Sequence, residues 1–154
     1  MWGISVSCTY VVLTVITVDG HPVDSVNSFV YLGSLQSSDC YSRPDINRHI
    51  ALASSVMASL QRIWKDRSLS TTTKIRVYQA LVTSVSLYAS ETWTVLASDL
   101  QTLEAFHIKC QRQLIHVKWH QFVRNDQISA VTNLPSISST ISRRRNAVFG
   151  HRQT

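Results

Sequence analysis

The chain has 154 residues, 44% of them hydrophobic and 16% charged, a balance that suits one domain with a buried core and argues against a disordered tail or a multidomain enzyme. Fifteen Lys and Arg against nine Asp and Glu leave a net charge of +6, so an anionic partner is an early candidate. The three cysteines, Cys8, Cys40 and Cys110, are too few and too widely spaced for a disulfide framework or a paired-cysteine zinc site and suit a reducing intracellular compartment, and no phosphate loop, dinucleotide fingerprint, nucleophile elbow or HExxH motif occurs.

Residues 1–42 contain no Lys or Arg and three acids, a charge of −3. Gly3 to Val18 is apolar apart from Ser and Thr. No basic residue precedes it, as a signal peptide would need. It is also too short and too broken by hydroxyls for a membrane span of about 20 apolar residues, so no membrane partner is expected. Its β-branched content (Val6, Val11, Val12, Val15, Ile16, Val18) predicts a buried strand or strands. Asp19-Gly20 gives a turn signal, and Ser28 to Leu35 reads as a second extended run ending at Gly33 or Ser34. The two runs predict a hairpin, with Pro22 outside its regular ladder.

From residue 42 the apolar period changes from two to about three and a half. Ser42-Arg43-Pro44-Asp45 supplies an N-cap serine, an early proline and a carboxylate facing the positive end of a helix dipole. Ile46, Ile50, Ala53, Met57, Leu60 and Trp64 then form one apolar stripe. Ser70 caps a second predicted helix with Ile75, Tyr78, Val82, Val85 and Tyr88 on one face. Lys74 and Arg76 lie in its first turns, where they oppose the dipole. A third helix is predicted from Ser98, with Gln101 at the reciprocal capping position and Leu103, Phe106, Cys110, Leu114 and Val117 inside. Asn125 starts a short fourth helix that Asn133-Leu134-Pro135 stops, and Ser136 or Ser138 starts a last one running toward Gly150. The expected fold is mainly α: an N-terminal β-hairpin segment over 1–41, then a bundle of four or five helices over 42–154.

The ordered motifs point to a family. Phe29-Val30-Tyr31-Leu32-Gly33-Ser34, Arg62-Ile63-Trp64-Lys65, Lys74-Ile75-Arg76-Val77-Tyr78 and Leu87-Tyr88-Ala89-Ser90-Glu91-Thr92-Trp93 come in turn. They are followed by Leu103-Glu104-Ala105-Phe106-His107, Cys110-Gln111-Arg112, Trp119, Phe122-Val123-Arg124-Asn125 and Arg143-Arg144-Arg145 with Phe149-Gly150-His151. In that order they resemble the region after the catalytic palm in reverse transcriptases of non-LTR retrotransposons, which are RNA-directed DNA polymerases. The resemblance covers roughly residues 13–151. It implies that the Tyr-Leu-Gly turn is similar to the hairpin that grips the primer end, and that the helices are similar to the thumb that holds template and primer. Partners would then be RNA or an RNA/DNA duplex. The intracellular setting read from the cysteines extends to the nucleus through the basic strips, either of which has the composition of a nuclear localisation signal. The parent polymerase holds two magnesium ions on an Asp-Asp pair and an earlier aspartate. This sequence has no Asp-Asp pair, so the expectation is a fragment that does not polymerise alone and carries no cofactor. Some family glycines and a proline are replaced, at Ala89, Cys40 and Ser84, and the loss of a glycine strains any turn that needs positive φ.

Candidate nucleic-acid contacts follow from charge and resemblance: Tyr31 and Gly33 at the hairpin, Arg62, Lys65, Arg67, Lys74 and Arg76 around the first helix-helix turn, Arg112, and Arg143, Arg144 and Arg145 in the last helix. Lys and Arg neutralise phosphates and release counterions, and Arg adds bidentate geometry. The plainer alternative is a solvated basic surface without a partner. Tyr31, Trp64, Trp93 and Trp119 have the chemistry to stack on bases, but Trp64 and Trp93 read better as core. His107, Cys110, His116 and His120 have zinc-ligand chemistry, against which Cys110 belongs to the apolar stripe. A reading from another class is a helical interaction module whose apolar stripes lead it to self-associate, and a third is an unstable remnant with no selected function.

Overall fold

The structure, a computed structural model, describes residues 17–150. Most of the apolar run expected as strand, up to Ile16, lies outside them. Strand β1 (Thr17–Val18) pairs antiparallel with β2 (His21–Pro22) around Asp19-Gly20. Strand β3 (Ser28–Tyr31) pairs with β4 (Ser34–Ser37) around Leu32-Gly33. In both turns the two central residues have positive φ, 50° and 80° at Asp19-Gly20 and 48° and 84° at Leu32-Gly33, as a two-residue hairpin matched to strand twist requires. The single hairpin expected from the sequence is therefore two small ones. Ser28 to Leu35 reverses at Leu32-Gly33 instead of staying extended, and Pro22 ends a ladder opposite Thr17.

Helix α1 (Arg43–Ser59) starts where the cap signal placed it. The Ser42 hydroxyl, however, accepts from the Thr94 amide at 2.8 Å and makes no bond to the first turn of α1. The predicted stripe does not run unbroken to Trp64. The helix stops at Leu60 (φ −89°, ψ 13°) and resumes as α2 (Gln61–Lys65). The cause lies in Trp64, whose buried indole Nε1 donates to the Met57 carbonyl at 2.9 Å and satisfies an acceptor in the last turn of α1.

Ser70 Oγ accepts from the Thr73 amide at 3.2 Å and caps α3 (Thr71–Val77) as expected. The helix continues through a π-helical segment (Tyr78–Thr83) into α4 (Ser84–Ser86). Tyr78 and Val82 are buried, but Tyr88 lies past the helix end and is exposed.

Helix α5 (Ala97–Leu114) begins one residue before the predicted Ser98, because Asp99 and not Gln101 caps it, its Oδ2 accepting from the Leu96 amide at 3.1 Å. Leu103, Cys110 and Leu114 are buried as the stripe predicted, and Val117 lies beyond the helix end, past His116 with φ 56°. A 3₁₀ turn (Trp119–Gln121), α6 (Asn125–Thr132) and α7 (Ile137–Gly150) complete the described chain, and left-handed Asn133 ends α6.

Two apolar clusters hold the helices together. One contains Ala53, Met57, Trp64, Tyr78, Val82, Cys110, Leu114 and Leu134, and the other Ile46, Leu87, Trp93, Leu103, Ile137 and Ile141. Helices α1 and α5 contribute to both, so they form the axle of the fold. Trp64 and Trp93 are core residues. The mainly α expectation holds, with the β structure confined to the N-terminal hairpins. No helix among the described residues is long and apolar enough to cross a membrane.

Candidate nucleic-acid interface

The β3–β4 hairpin is fixed to the helices through one buried carboxylate. Asp45, on the first turn of α1, accepts from Ser34 Oγ (2.9 Å), the Leu35 amide (2.8 Å) and the indole Nε1 of Trp93 (2.9 Å). Its side chain is 1% exposed. Arg48 Nη1 donates to the Gly33 carbonyl at 2.6 Å, and the Tyr88 hydroxyl donates to the Leu32 carbonyl at 2.7 Å. Gly33 is needed twice over: its φ is 84°, and a Cβ there would lie 3.3 Å from the Tyr88 ring. The tip, with Tyr31 62% exposed and Leu32 74% exposed, is thus a rigid apolar projection.

The cationic candidates divide into two kinds. Lys74 was expected in the exposed strip, but it is buried, and its ammonium donates to the Trp64 carbonyl at 2.8 Å. That bond joins α3 to α2 and withdraws Lys74 from any phosphate. Arg112 is half-buried, and its guanidinium bonds the Val123 carbonyl and Asn125 Oδ1. Arg144 donates to the Leu87 carbonyl and Arg145 to the Trp93 carbonyl, both half-buried. These three donate to backbone carbonyls outside the helices, the Leu87 carbonyl accepting from the Ser90 amide as well, so the triple arginine run is in large part a fastening of α7 to the segment after α4. Arg143 alone of the three is exposed.

Arg62, Lys65, Arg67 and Arg76 form the other kind. All four are exposed, and among the described residues none of their side chains has a hydrogen bond or ion pair. Asp66, the acid among them, is held below the usual carboxylate range by hydrogen bonds from Ser68. The α2–α3 turn therefore carries four free cations in fifteen positions. Lys109, Lys118 and Arg124, which the sequence reading did not single out, are exposed as well. Nothing in their spacing distinguished them from Arg112.

The metal-ligand candidates separate. His107 and Cys110 are buried, His116 and His120 are exposed, and no group of three or more metal-ligating side chains gathers among the described residues. Burial pushes the Cys110 thiol up to about 12, which leaves it inert as a nucleophile at neutral pH. Burial also raises the Tyr78 phenol and lowers the His107 imidazole, and the two meet at 2.7 Å between the hydroxyl and Nδ1. The two buried carboxylates are engaged within the chain. Asp45 is saturated by the hairpin and Trp93, and Asp99 by Arg43 Nε at 2.8 Å and the Leu96 amide.

Compared with known protein families, curated proteins and solved structures, the chain matches none.

Proposed function

We propose that the chain is a helical nucleic-acid-binding domain of the thumb type, a piece resembling the post-palm region of a non-LTR reverse transcriptase and without polymerase activity by itself. The observation that carries this reading is the set of four cations at the α2–α3 turn, Arg62, Lys65, Arg67 and Arg76, unpaired among the described residues, whereas Arg48, Arg112, Arg144 and Arg145 are committed to backbone acceptors. Free cations clustered on one turn contact phosphates without regard to sequence. The ordered motifs from Tyr31 to Arg145 support RNA or an RNA/DNA duplex as the nucleic acid.

Fluorescence anisotropy of the full chain with a labelled RNA/DNA hybrid across a salt series tests this. Binding should weaken steeply with salt. Replacing the four cations together by Ala should reduce the slope of log affinity on log salt by about 3.6, at roughly 0.9 per duplex phosphate contact. An unchanged slope would remove the α2–α3 turn from the interface. Replacing Arg144 and Arg145 is a poorer test, since it strips partners from two carbonyls and loosens α7.

A second reading rests on the hairpin. Phe29, Val30, Tyr31 and Leu32 are each more than half exposed, and a contiguous apolar projection of this kind suits contact with another protein surface or a second copy. Sedimentation equilibrium separates the two: a mass that rises with concentration and returns to the monomer on Leu32→Lys substitution would favour association through the tip.

A further inference from the structure

A cavity of about 180 Å³ lies between the π-helical segment, α5 and α7, lined by Gln79, Thr83, His107, Leu134, Pro135, Ile137, Thr140, Arg143 and Arg144. Its volume is that of roughly six liquid waters at about 30 Å³ each, enough for a tetrahedral oxyanion and too small for a stacked nucleoside. Two buried polar atoms on its wall have no hydrogen bond of good geometry, Thr83 Oγ1, which has the Tyr78 hydroxyl beside it, and His107 Nε2, which has the Pro135 carbonyl beside it. His107 is 4% exposed. Buried polar groups gain from a well-placed partner, so a ligand in the cavity would complete the hydrogen bonding of both at once. The π-helical turn that supplies Gln79 and Thr83 is itself a geometry concentrated at functional sites.

The chemistry of the lining selects the ligand. Tyr78 is kept in its protonated form by burial, and its hydroxyl on Nδ1 at 2.7 Å places the imidazole proton on Nε2, a donor. Thr83 adds a hydroxyl, Gln79 an amide and Arg143 an exposed guanidinium with no partner among the described residues. No Asp or Glu lines the cavity. Glu104, the acid whose charge reaches His107, has one oxygen on the Ser138 amide at 3.2 Å. Donors and positive charge thus face a space of oxyanion size. We propose that this cavity binds a phosphate group, either free phosphate or the terminal phosphate of a nucleic acid. The inference stands on the cavity itself and is independent of the α2–α3 turn.

The test is a titration of the full chain with inorganic phosphate in phosphate-free buffer, with chloride at matched ionic strength as control, following the side-chain ¹⁵N resonances of His107. Saturable shifts of the His107 resonances are expected. Thr83→Val, which keeps the shape, and Arg143→Gln, which changes an exposed side chain, should each weaken binding at least fivefold, while the Ala variant of the four α2–α3 cations should leave it unchanged. A His107 response no different from chloride with inorganic phosphate and with a 5′-phosphorylated oligoribonucleotide alike, or cavity variants that bind as tightly as wild type, overturns the proposal. Oligoribonucleotides with a 5′-phosphate or a 5′-hydroxyl identify the source. Shifts with the phosphorylated end alone assign the cavity to nucleic-acid termini, and shifts with inorganic phosphate alone assign it to the free ion. Salt-dependent RNA binding with no His107 response to any phosphate would sink the cavity and leave the α2–α3 interface standing.

Discussion

Asp45 shows how one side chain carries more than its position in the sequence announces. The pattern Ser42-Arg43-Pro44-Asp45 assigns it to the first turn of α1, and it is there. Its partners, however, are ten or more residues away: Ser34, Leu35 and Trp93. Asp45→Ala would leave the Trp93 indole and the Leu35 amide buried without an acceptor, so urea unfolding should show a loss of about 3 kcal/mol. His107 supplies a second test. Its pKa is lowered from 6.5 by burial, against the pull of Glu104, so the folded state prefers the neutral ring and the unfolded state titrates normally. The resulting stability is complete above pH 6.5 and is lost as pH falls below that value toward the folded pKa. Wild type should therefore lose more stability than His107→Gln between pH 7.5 and 5.5, measured by urea unfolding at both pH values. Lys74 makes the converse point: nothing in Thr73-Lys74-Ile75-Arg76 says which cation turns inward, because the Trp64 carbonyl that receives Lys74 belongs to another helix.

Among the elements, the helices were legible because stripes and caps are local. Ser70 caps α3, and Asn133 stops α6. The break at Leu60 and the π-helical turn were not legible, since the first depends on where the Trp64 indole finds an acceptor and the second on how Tyr78 and Val82 reach the core together. The turns are more informative. Ala89 has φ 56° and Cys40 φ 59°, both left-handed, whereas Ser84 has φ −63° within the helix. Two of the three positions where the resemblance implies a replaced glycine or proline thus carry strain that glycine would relieve. Ala89→Gly should raise stability by about 1 kcal/mol, a Tm increase of about 2–4 °C at this chain length. Ser84→Gly, in helical backbone, should lower it by a similar amount. Differential scanning calorimetry of both variants reads the opposite signs directly.

For the molecule as a whole, charge counting overstates the basic surface. Residues 109–154 contain eight bases and one acid, yet Arg112, Arg144 and Arg145 serve carbonyls of the chain itself. The charge of 43–76 is freer, because Arg62, Lys65, Arg67 and Arg76 project from a short turn with few acceptors nearby. The two apolar clusters share α1 and α5, and one of them closes only when Ile137 and Ile141 of α7 are added. Removing everything after residue 136 should therefore abolish cooperative unfolding while leaving helical circular dichroism from α1 and α5.

The fastening of α7 also sets an order of events on the ribosome. Helices α1 to α5 are synthesised before α7, with the bonds from Arg144 and Arg145 to the Leu87 and Trp93 carbonyls not yet formed. Until Ile137 and Ile141 arrive with those arginines, one of the two apolar clusters stays open in the growing chain.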